Sequence, residues 1–119
     1  MHFFTVGHSN RSLDDLISLL KEYSIEALVD VRRWPSSKRF PHFNRECLSE
    51  ALRRNNIRYF WLGEELGGYI KDGLGEASPN KAWRSLGFRN YADYTLTEEF
   101  KRGISRLLSY GERWRVAYM

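Results

Sequence analysis

His8 follows a glycine within Thr5-Val6-Gly7-His8-Ser9-Asn10-Arg11, where a short aromatic and β-branched run gives way to a helix-like pattern. An imidazole at such a turn titrates near neutrality and serves as a general acid or base, or it caps the turn by hydrogen bonding. Ser9, Asn10 and the first backbone N–H groups of the following helix can hold an anion, because a helix N-terminus presents unpaired donors and partial positive charge. Asp30 and Arg32 stand two apart in a strand-like run, so both project to one face and suit an ion pair. That pair is either structural or a means by which Asp30 orients Arg32 or His8. His8 and Asp30 are therefore the candidate catalytic groups, while Arg32, Arg33, Lys38 and Arg39 are candidate phosphate contacts, arginine being suited to bidentate recognition. Gly67-Gly68 either lets a ligand approach the backbone or makes a tight turn.

Trp34, Phe40, Phe43, Tyr59 and Trp61 lie among these cations, where aromatic rings can stack nucleobases or fill a core. His8, His42, Asp30, Glu64 and Glu65 lack the spacing of a metal site, and no metal or other cofactor is expected. The single cysteine, Cys47, excludes an intramolecular disulfide.

These residues need a scaffold, and 119 residues with 42% hydrophobic content suffice for one compact core, hence one domain over 1–119. The longest apolar runs stop far short of the roughly twenty residues a membrane span requires, so a soluble, cytoplasmic protein without a membrane partner is expected. The net charge is +4, but residues 31 to 58 carry eight basic side chains against two acidic ones. Such a segment points to a phosphorylated ligand or nucleic acid, or to an arginine-rich solvated surface.

Phe3–Val6 reads as a first strand, and Ser12 as the cap of a helix with Leu13, Leu16, Ile17, Leu20 and Tyr23 on one face. Ala27–Val31 is a nearly continuous apolar run, as expected of a strand buried on both faces. Two prolines keep the stretch after Arg33 irregular. Asn44 then caps a helix turning Cys47, Leu48, Ala51 and Leu52 inward, with Phe43 stapled on Leu48. Ile57–Leu62 reads as a third strand, followed by a glycine-rich turn over 63–68. Residues 69 to about 90 read as a long excursion, with at most one short helix, that can act as a lid. A final helix opens at Thr95 or Thr97, packs Phe100, Ile104, Leu107 and Leu108, and closes at Gly111 before a last strand over Arg115–Met119.

Alternating strands and helices imply a small three-layer α/β domain with a mainly parallel sheet of about four strands and helices on both faces. In such a sheet the ligand crevice lies beyond the carboxyl ends of the strands, where the loops at His8–Arg11, Arg32–His42 and Glu64–Gly68 converge. A sheet that ends on its last strand leaves an edge or face uncovered, which suggests a homodimer.

Taken together, Thr5-Val6-Gly7-His8-Ser9-Asn10-Arg11, Val29-Asp30-Val31-Arg32-x-x-Pro35, Pro41-His42-Phe43-Asn44, Leu66-Gly67-Gly68 and Phe88-Arg89-x-Tyr91-Ala92 resemble the domain-of-unknown-function family 488, nearly end to end and in order. The resemblance implies a compact α/β fold with no assigned activity, and it adds His42, Asn44 and Pro35 to His8, Asn10, Arg11, Asp30, Arg32, Gly67 and Gly68 as positions matching the family pattern. Similar proteins continue into a Cys-x-Glu and then a Cys-His-Arg segment, whereas this chain ends at Tyr118-Met119. The resemblance thus leaves open a shortened version, a product without activity, or a rim supplied by a partner subunit. Three functions follow from the residues: an enzyme on a phosphorylated or nucleic-acid substrate, a nucleic-acid-binding module without chemistry, or a metabolite-binding or interaction domain.

Overall fold

The computed structural model describes residues 3–7, 11–36, 41–68, 73, 78–80 and 86–119. Strands β1 (Phe3–Thr5), β2 (Ala27–Asp30), β3 (Arg58–Trp61) and β4 (Val116–Tyr118) form one sheet in the order β1-β4-β2-β3, every neighbouring pair parallel. Parallel pairing demands crossovers, and helices supply them. These are α1 (Leu13–Glu22), α2 (Arg45–Arg54), a single helical turn α3 (Gly63–Leu66), α4 (Leu86–Tyr94) and α5 (Glu98–Arg113), with a 3-10 turn at Pro41–Phe43.

Alternation along the strands divides the core in two. Leu28 and Ala117 face α1 and α2, where they pack with Leu16, Leu20, Phe43, Leu48 and Leu52. Ala27, Val29 and Val116 face the other way and meet Leu62, Leu66, and the α5 side chains Phe100, Ile104 and Leu107. The expected three layers, with helices on both sheet faces, are thus present. α3 lies close to α5 because position 103 is glycine: a Cβ there would stand 2.6 Å from that of Glu65 and 2.8 Å from Leu66 Cδ2.

The helix starts follow their caps. Ser12 Oγ accepts from Asp15 N–H at the head of α1, and Thr97 Oγ1 accepts from Phe100 N–H at the head of α5. Asn44 occupies the N-cap position of α2 but makes no side-chain capping bond.

Several sequence expectations are corrected. Cys47 is exposed, because Leu48 and Leu52 alone carry the buried stripe of α2. Leu108 is also exposed; Tyr110 and Trp114 take the place expected for it, stacking on Phe60. α5 runs through Gly111 to Arg113, since packing against the sheet outweighs the modest helix penalty of one glycine. The glycine-rich segment after β3 is a helical turn, and the final strand is an inner strand between β1 and β2, not an edge. The outer strands are β1 and β3. The excursion expected over 69 to about 90 ends in α4; its lid role falls mainly on residues outside those described.

Leu28 is fully buried in an inner strand. Leu28→Ala is expected to lower the unfolding free energy by about 2–5 kcal/mol, read from the urea midpoint at unchanged slope.

Candidate functional site

All four strands end at one edge, and Asp30 is the last residue of an inner one. Its carboxylate is fully buried, which demands compensation. Four donors provide it. Arg32 Nε and backbone N–H donate to Oδ1 at 2.8 and 3.1 Å, while Arg32 Nη2 and the Tyr59 hydroxyl donate to Oδ2 at 2.7 and 2.6 Å. Arg32 Nη2 also donates to the Phe43 carbonyl at 2.9 Å, tying the end of β2 to the turn ahead of α2. The Arg32 side chain keeps 19% of its surface exposed and the Asp30 side chain none, so the pair is sealed on its carboxylate side. The Asp30–Arg32 ion pair that the strand spacing suggests is thus formed.

Tyr59 answers to the same pair. Burial, reinforced by the hydrogen bond to Asp30 and that residue's charge, pushes its pKa well above the ordinary 10.0. Beside it, Trp61 Nε1 donates to the Arg32 carbonyl at 2.7 Å, and the Arg45 guanidinium lies 4.6 Å from the Trp61 ring centre. Gly63 is needed for this closeness, because a Cβ there would collide with the Arg32 carbonyl and Trp61 Nε1.

Arg33 turns the other way. Its Nε donates to the Gly68 carbonyl at 2.6 Å, and its Nη2 to the Gly67 and Glu64 carbonyls at 3.2 and 3.3 Å. The hydroxyls of Tyr91 and Tyr94 in α4 donate to the Leu66 and Glu64 carbonyls, completing the C-terminal end of α3. A cation at this negative helix end is electrostatically apt. At Gly67 a Cβ would lie 2.6 Å from that of Arg33, so glycine there lets the arginine reach the carbonyls.

The first loop joins the second through Arg11 and His42. Arg11 Nε donates to the Gly7 carbonyl at 3.2 Å, and His42 Nε2–H donates to the Arg11 carbonyl at 3.1 Å. Arg11, Arg32, Arg33, His42, Asn44, Gly67 and Gly68 therefore belong to loops meeting at the carboxyl edge. His8, Ser9, Asn10, Lys38 and Arg39 lie outside the described residues. Among the described residues no group of three or more His, Cys, Asp or Glu side chains is arranged to hold a metal.

A family model described as Domain of unknown function DUF488 matches residues 12–119. The chain belongs to that family. The matched stretch of this DUF488 chain takes in the Asp30–Arg32, His42–Asn44, Gly67-Gly68 and Tyr91 segments, while Thr5–Arg11 precedes it. No curated protein and no solved structure matches the chain. None of the helices among the described residues is long and apolar enough to cross a membrane.

Sequence reasoning did not find Tyr59 as a partner of Asp30, nor Gly63 as a spacer. A carboxylate inside an apolar strand signals that partners exist, but the register Leu28↔Tyr59 is what brings this one within reach. Tyr91 carried a sequence signal through the Phe88-Arg89-x-Tyr91-Ala92 motif, although without a role.

Tyr59→Phe removes a hydrogen bond to a buried carboxylate and is expected to cost about 1.5–3 kcal/mol of stability at neutral pH. The raised Tyr59 pKa makes its contribution complete below pH 10.0 and lost as pH climbs toward the folded-state value, since the unfolded phenol ionises first. Denaturation between pH 8 and 12, with absorbance at 295 nm followed in parallel, should show a steeper alkaline loss for the parent than for Tyr59→Phe. Gly63→Ala is expected to destabilise by at least about 1–3 kcal/mol through overpacking, and calorimetry with near-UV circular dichroism of Trp61 checks it.

Proposed function

We propose that the carboxyl edge of the sheet is a phosphate-recognition site through which the chain binds a phosphorylated ligand, nucleic acid above all. The observation that carries this reading is the Arg32 guanidinium, oriented by the buried Asp30 carboxylate and the Phe43 carbonyl yet open to solvent over 19% of its side chain. A guanidinium already fixed in place forfeits little side-chain entropy when it meets an anion, and its Nη1 group, engaged by neither Asp30 nor Phe43, is left to donate to a phosphate oxygen.

Further support comes from the surroundings. Arg11 is exposed beside His42, Arg45 stacks on Trp61, and Trp34 is 61% exposed next to Arg33. Cations interleaved with aromatic rings suit a sugar-phosphate chain carrying bases. Ser9, Asn10 and Arg39 complete the reading as further phosphate contacts, with His8 as the acid or base if the bound substrate is also turned over.

Arg32 itself is a poor test residue, because its removal would leave Asp30 buried and unpaired at a cost of about 3–5 kcal/mol. Arg11 and Arg45 are the better choices. A labelled single-stranded oligonucleotide should bind with log affinity falling linearly with log salt, by about 0.7 for each phosphate contacted. Arg11→Ala and Arg45→Ala should each weaken binding and reduce that slope. Affinity indifferent to salt would sink the proposal. Turnover lost in His8→Ala with binding intact would assign catalysis, and turnover unaffected would remove His8 from it.

A further inference from the structure

The basic segment at 31–58 does not fold into one patch. α2 runs antiparallel to the strands, so Arg45 at its start lies at the carboxyl edge while Arg53 and Arg54 at its end lie at the amino edge, where β3 begins with Arg58. These last three take no part in the phosphate site. Arg53 and Arg58 line a groove of about 550 Å³ between α2 and β3, together with Ser49, Glu50 and Tyr59.

β3 is an outer strand of the sheet. The Arg58 and Leu62 N–H groups donate inward, to the Glu26 and Asp30 carbonyls at 2.9 and 2.8 Å. By the alternation of a parallel ladder, Tyr59 and Trp61 turn their N–H and C=O groups outward, and among the described residues no backbone group meets them. A peptide main chain has the matching alternation of donors and acceptors, which a nucleic acid backbone lacks.

Charge narrows the occupant. Arg53 and Arg54 share a single carboxylate, Glu50, and Arg58 lies 4.8 Å from the centre of the Trp114 ring, leaving an excess of positive charge around the groove. A second copy of this chain docking edge to edge about a two-fold axis would run the two β3 strands antiparallel and bring these cations toward the other copy's carboxyl-edge Arg45, again positive against positive. Arg53 stands on the α2 side of the sheet, and Arg58 on the α5 side with Trp114 and Phe60. Consecutive side chains of an added strand point to opposite faces, so adjacent acidic residues would each find one of these arginines.

We propose that the groove between α2 and the open edge of β3 docks an extended acidic peptide segment, which adds as a strand beside β3 and sets consecutive acidic side chains against Arg53 and Arg58. The test uses the full chain and a fluorescein-labelled hexapeptide, Thr-Val-Asp-Glu-Val-Thr, followed by anisotropy. Saturable binding is expected, weakened about tenfold or more when Asp-Glu is replaced by Asn-Gln, and abolished when alternate peptide nitrogens on the edge-facing side are methylated. Arg53→Ala and Arg58→Ala should each weaken binding about two- to fivefold with the unfolding midpoint unchanged. Arg58→Lys, which keeps the charge, should retain it. Absence of binding, equal binding of the methylated peptide, or indifference to both arginine replacements would overturn the proposal. So would sedimentation showing a dimer that the peptide fails to dissociate. Because Arg11 and Arg45 lie at the other end of the sheet, loss of oligonucleotide binding in their variants leaves this outcome unaffected.

Discussion

A carboxylate with no exposed surface ends an inner strand of this sheet, and the architecture of the carboxyl edge follows from the need to satisfy it. Asp30 cannot be left unpaired in that position without a penalty of several kcal/mol. Its four donors come from Arg32 and Tyr59, which fixes the turn after β2 and ties β2 to β3 through side chains as well as backbone. Because Arg32 also holds the Phe43 carbonyl, the same pair sets where the chain re-enters helix, at α2.

From that anchor the neighbouring contacts spread outward. The Arg32 carbonyl accepts from Trp61, Arg33 is directed onto the carbonyls at the end of α3, and α4 contributes two tyrosine hydroxyls to the same helix end. Two glycines make room for this. Gly63 admits the Arg32 carbonyl and the Trp61 indole, and Gly67 admits the Arg33 side chain. Adjacent arginines in the chain thus divide the work: Arg32 holds the Asp30 carboxylate and the Phe43 carbonyl, and Arg33 completes a helix terminus.

Much of the scaffold was legible from residue pattern. The apolar run Ala27–Val29 marked an inner strand, and Ser12 and Thr97 marked helix starts, because capping and burial are local signals that survive folding. Where neighbours decide, pattern misled. Leu108 fits an apolar helix stripe as well as Tyr110 does, yet only Tyr110 lies over Phe60. Gly111 reads as a stop signal but stays helical, held by a sheet that no local window contains.

The sequence by itself determined the alternation of strands and helices, the parallel sheet that alternation requires, and the presence of a carboxylate that had to find a partner. Spacing also brought Asp30 and Arg32 onto one face, since residues two apart in a strand share it. Tertiary structure alone decided that Tyr59 completes the pair, that Arg33 serves α3, and that one basic segment becomes two clusters at opposite ends of the sheet. The physical reason is that these outcomes depend on strand order, register and helix direction. A helix reverses the chain's course along the sheet, so Arg45 and Arg53, on one helix, lie at opposite edges, while residues 29 apart, Asp30 and Tyr59, meet in a hydrogen bond.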